Sequence, residues 1–125
     1  MGVKALPYHY VNALYVPCYP DEATHITIAM PGPLTRRMLR VGGSLHPRWE
    51  WNKDCVRVTL TPSILTTGVR PLTTEEAERV LRGENVDVEE IRCHSFVTDG
   101  HVRFLPDCSH SLAGMEMDLL DVEEV

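Results

Sequence analysis

The chain has 125 residues, of which 43% are hydrophobic and 24% charged, enough for one core and ordinary for a single globular domain. A net charge of −6 excludes a broad nucleic-acid surface, because neutralising phosphates takes clustered Lys and Arg; Arg36-Arg37 with Arg40 is too small a cluster and reads as solvated strand or loop surface. No apolar run reaches membrane-spanning length and Met1 to Val16 lacks a signal-peptide pattern. A cytoplasmic protein is therefore expected, with its four cysteines reduced or metal-bound.

Met1 to Tyr19 mixes aromatics with prolines and shows no clear period. It is read as an arm over residues 1–23, holding at most one strand around Val11 to Val16 and available for contact with a partner or second copy. Thr24 to Met30 alternates as a strand, with Ile26 and Ile28 on one face, and Met30-Pro31-Gly32-Pro33 breaks it. Short strands follow at Met38 to Val41 and Arg48 to Trp51; the tryptophans, like Met115 and Met117 later, read as core rather than as an adhesive patch. Asp54 to Leu60 alternates Val56, Val58 and Leu60 against polar neighbours and is expected to stop at Thr61-Pro62-Ser63, with a bent continuation to Gly68. Thr73 and Glu76 form a capping-box pair before a helix over residues 74–82, closed by Gly83. A last strand covers Met115 to Leu119, and the acidic tail from Asp121 to Val125 is expected to fray.

The strongest local signal is Asp99-Gly100, set between two β-prone runs and suited to the positive φ angles of a type I′ turn. Taking these as the loop residues pairs Thr98 with His101, Phe96 with Arg103 and Ser95 with Phe104. Cys93, Ser95 and Val97 then share one face, and His94, Phe96 and Thr98 the other. Pro106 and Asp107 end the second strand and bring Cys108 to the open end of the hairpin beside Cys93, which is half of a tetrahedral metal site.

Arg48-Trp49-Glu50-Trp51-Asn52, Leu60-Thr61-Pro62-Ser63-Ile64-Leu65, the Leu72 to Ala77 helix start, and the segment from Cys93-His94-Ser95-Phe96-Val97 through Asp107-Cys108-x-His110-x-Leu112-Ala113-Gly114 occur in order. Over roughly Thr24 to Leu119 the chain resembles a family of small phage and prophage proteins, and it is distantly similar to BubE-like peptidase-type proteins of bacterial ubiquitin-like operons. The resemblance implies a structural zinc held by a Cys-Pro-Gly-Cys knuckle with the counterparts of Cys93 and Cys108. Here Met30 and Pro33 stand where the knuckle has its thiolates. The remaining candidate ligands are Cys93, Cys108 and His110, with His25 or His46 from the N-terminal half, so the cofactor is either none or one structural zinc. Cys18 and Cys55 have no ligand spacing.

Ser63 follows a proline where a strand bends, His94 is fixed by strand geometry, and Asp107 or Glu50 is available to orient it; a serine nucleophile needs such a set within hydrogen-bond reach. The expected fold is mainly β (α+β): one domain over residues 24–120 of six or seven short strands, a zinc-ribbon-like hairpin and one inserted helix. The first functional expectation is a phage-encoded accessory interaction protein with a degenerate metal site, acting on a host or phage protein in the infected cell. The alternative is a serine hydrolase of the BubE-like peptidase type using Ser63 and His94.

Overall fold

The computed structural model describes residues 2–32, 36–69, 72–88 and 90–124, with the backbone alone at residue 124. Pro33 and Val125 lie outside the described residues. The chain forms two antiparallel sheets. Strands β1 (Ala5–Val11), β2 (Leu14–Pro17), β3 (His25–Ala29) and β4 (Arg36–Arg40) make a four-stranded sheet in the order β2-β1-β3-β4. Strands β5 (Glu50–Trp51), β6 (Leu60–Val69), β7 (Glu90–Thr98), β8 (His101–Phe104) and β9 (Glu116–Asp118) make a five-stranded sheet in that order. Their buried faces share one core, with Ala5, Ile26, Ile28 and Leu39 from the first sheet against Leu60, Ile64, Val97, Val102 and Phe104 from the second. Trp49, Trp51 and Met117 pack partly buried against it, while Met115 is exposed.

Helix α1 (Thr74–Leu81) connects β6 to β7 and carries the expected reciprocal cap: the Glu76 N–H donates to Thr73 Oγ1 at 3.2 Å and the Thr73 N–H to Glu76 Oε1 at 3.0 Å. The β7–β8 hairpin turns at Asp99-Gly100, both with positive φ, and pairs Thr98 with His101, Phe96 with Arg103 and Ser95 with Phe104. Cys93, Ser95 and Val97 are buried, whereas Phe96 and Thr98 are exposed and His94 is partly so. Gly100 is required here. A Cβ at this position would lie 2.8 Å from the Val56 carbonyl oxygen, and φ is +80°.

Four expectations are corrected. The N-terminal stretch is not an arm with one strand: it reverses at Asn12-Ala13, whose φ angles are 51° and 61°, and the resulting hairpin joins the sheet through β3. Tyr10 and Tyr15 meet across it tilted at 45°, with ring centroids 4.7 Å apart, and both rings meet the His25 imidazole edge-on. Asp54 to Thr59 is a loop rather than a strand, because Asp54 Oδ1 accepts the Val56 and Arg57 N–H groups at 2.8 Å each and so competes with any ladder. Val58 and Leu60 still reach the core.

Thr61-Pro62-Ser63 does not terminate a strand but lies inside β6. Leu60 pairs with Val97 and Ile64 with Ser95, so Thr61, Pro62 and Ser63 together oppose Phe96 in a bulge, where proline's missing N–H costs no ladder bond. The tail is tied down rather than frayed. Val122 is fully buried, its N–H donates to the Val3 carbonyl at 2.9 Å, Arg36 Nη2 donates to its carbonyl at 3.0 Å, and Asp121 pairs with Lys4 at 2.6 Å.

Candidate active site

The bulge displaces Ser63 from the regular register, and its carbonyl accepts the Trp49 indole N–H at 3.3 Å. Across the sheet, Leu65 of β6 pairs with His94 of β7. This combination sets Ser63 Oγ 3.0 Å from His94 Nε2 although 31 positions separate them in sequence. The His94 backbone is held from the other side: its carbonyl accepts the Leu105 N–H at 2.9 Å and the Cys108 thiol at 3.1 Å, and its N–H donates to Cys108 Sγ at 3.1 Å.

Asp107 reaches the histidine through a turn. The Cys108 N–H donates to the Leu105 carbonyl at 3.1 Å, closing a four-residue reversal with Pro106 at its second position, where proline's fixed φ fits. Asp107 Oδ2 then lies 3.0 Å from His94 Nδ1. A carboxylate can only accept, so Nδ1 carries the proton and Nε2 presents its lone pair to the Ser63 hydroxyl. The hydrogen bond from His94 holds the Asp107 carboxyl below the usual range, and half of that side chain remains open to solvent. Glu50, the other candidate orienter, pairs with Arg48 at 3.5 Å instead.

The opposite face of β7 carries the thiols. Ligand atoms of Cys93, Cys108 and His110 lie within 4.8 Å of one another, a Cys/His group of the metal-binding type. His25 stands instead among the tyrosines and bonds Thr24 at 2.9 Å, and His46 is exposed. Arg37 is not solvated as expected. It turns inward from β4, half-buried beside Cys93, and its Nε and Nη2 are buried. Burial pushes the Cys93 thiol up, as does Cys108, while Arg37 opposes them.

The residues present do not fit the structural zinc that the resemblance implies. Met30, at one lost thiolate, is fully buried and its sulfur accepts the Ser95 hydroxyl at 3.8 Å. Among the described residues the corner offers three ligands, Cys93, Cys108 and His110, where a closed structural zinc takes four. His110 Nδ1 accepts the Leu112 N–H at 3.2 Å, so the neutral ring carries its proton on Nε2, the buried and unpartnered nitrogen. A guanidinium beside Cys93 adds a fixed positive charge.

A family model described as "Bacterial ubiquitination-like system serine protease (BubE)" matches residues 12–105. The chain belongs to this family. The matched span contains Ser63 and His94 and ends two residues before Asp107. No curated protein and no solved structure matches the chain. Two contacts near the candidate site lie beyond sequence reasoning: the Trp49 bond to Ser63, and Arg37 beside Cys93. The first follows from the pairing of β5 with β6, and the second from the packing of one sheet on the other.

Proposed function

We propose that the protein is a serine hydrolase of peptidase type with Ser63 as nucleophile, His94 as general base and then general acid, and Asp107 as the group that orients His94. The observation that carries this reading is the unbroken chain from Ser63 Oγ to His94 Nε2 and from His94 Nδ1 to Asp107, 3.0 Å at each link. Membership of a family described as serine proteases supports the same assignment. Attack of Ser63 Oγ on an acyl carbonyl passes the hydroxyl proton to Nε2, and the imidazolium that forms is stabilised by the Asp107 carboxylate. The same proton goes to the leaving amine or alkoxide. Water, deprotonated by Nε2, then releases the acyl group from Ser63 and restores the free enzyme.

Placement of the site at a bulge serves this chemistry, because the hydroxyl stands clear of the ladder while Trp49 fixes the carbonyl of the same residue. An activated ester offered to the purified protein is the test. A rapid burst of product matched by an acyl adduct on Ser63 in the intact mass, absent in Ser63→Ala and His94→Ala, is expected. Ester turnover that survives Ser63→Ala overturns the assignment.

A further inference from the structure

The thiol corner behind the triad raises a question that the serine chemistry leaves open: what replaces the charge and cross-linking of a metal between Cys93 and Cys108. We propose that Arg37 is the resident cation of this corner, and that the corner is metal-independent in this chain.

Arg37 pairs with Ile28 in the β3–β4 ladder, and its side chain runs into the core between the sheets rather than out to solvent. Its Nη1 is anchored on the Arg36 carbonyl at 2.9 Å, which leaves Nε and Nη2 buried on the side of Cys93. Among the described residues the buried side-chain nitrogens without a partner are two of this guanidinium and His110 Nε2, which carries the ring proton because Nδ1 accepts from Leu112. Sulfur lone pairs suit such donors, and a divalent cation does not. Three ligands fall short of the four that close a structural zinc, and the further side chain at this corner is a guanidinium, which has no lone pair to offer. Arg37 reaches from β4 of the first sheet to the neighbourhood of Cys93 on β7 of the second.

The inference does not depend on Ser63 being a nucleophile, and its test reads metal and stability rather than turnover. Zinc content is measured on protein expressed with added zinc and purified without chelator, and the melting temperature is followed with and without EDTA. A double-mutant cycle with Arg37→Met and Cys93→Ala is run in parallel. The expected results are no bound zinc, no EDTA effect, and an Arg37→Met shift in melting temperature that falls to about half or less in the Cys93→Ala background, since contacting groups are not additive. If Arg37→Met does not fold, Arg37→Lys takes its place in the cycle. One equivalent of zinc that Cys93→Ser removes overturns the proposal, and so do additive shifts.

Discussion

The two faces of β7 differ by one residue in register and by everything in chemistry. Outward, His94 stands between Ser63 and Asp107 with a quarter of its side chain open to solvent. Inward, Cys93 is 4% exposed and lies with buried Cys108 and the partly buried His110 and Arg37. The turn repeats the contrast one step along, with Asp107 outside and Cys108 inside. A strand that alternates thus sets a buried corner against an exposed one, and Cys108 is the link because its thiol bonds both backbone groups of His94.

Changes confined to one face break or sharpen that comparison. Ser63→Ala and His94→Ala are expected to lower hydrolysis by about 10⁴-fold or more with little change in melting temperature, checked by steady-state kinetics beside thermal denaturation. Asp107→Asn should cost roughly 10²-fold in kcat, less than a buried orienter would, because this carboxylate is half exposed. Gly100→Ala strikes both faces at once. The added Cβ meets the Val56 carbonyl and the φ of +80° is strained, so a loss of about 2–4 kcal/mol in denaturant unfolding is expected.

Cys108→Ala tests the link between the faces. It removes both contacts to the His94 backbone, with about 1–3 kcal/mol lost and a few-fold fall in kcat, whereas Cys93→Ala should affect stability alone. The smallest effect is on acid unfolding. Because the Asp107 carboxyl titrates below its ordinary 3.8, its contribution is fully present above that value and is lost as pH falls through the lower, folded one. The melting temperature of Asp107→Asn should therefore fall less steeply than wild type below pH 3.8.

Much of this contrast was legible in the sequence where the determinants are local. Asp99-Gly100 sets the hairpin register, and the register alone puts Cys93 and His94 on opposite faces; Thr73 and Glu76 cap the helix within one turn. Non-local packing was not legible. Asn12-Ala13 closes a hairpin with an alanine where glycine is the usual residue, so the edge pair of the first sheet carries no turn signal. Pro62 reads as a terminator unless the partner strand is known to bulge around it, and the basic run at Arg36-Arg37 looks solvated until the second sheet covers it. Ser63, His94 and Asp107 can be chosen by residue type, but the 3.0 Å links depend on β6 lying beside β7.

Labelling with a fluorophosphonate, mapped by peptide mass spectrometry, tests the outward face most directly. A single adduct on Ser63, formed at neutral pH, lost in His94→Ala and slowed in Asp107→Asn, is the predicted result. A folded protein that takes no label, or takes it at the same rate without His94, contradicts the account.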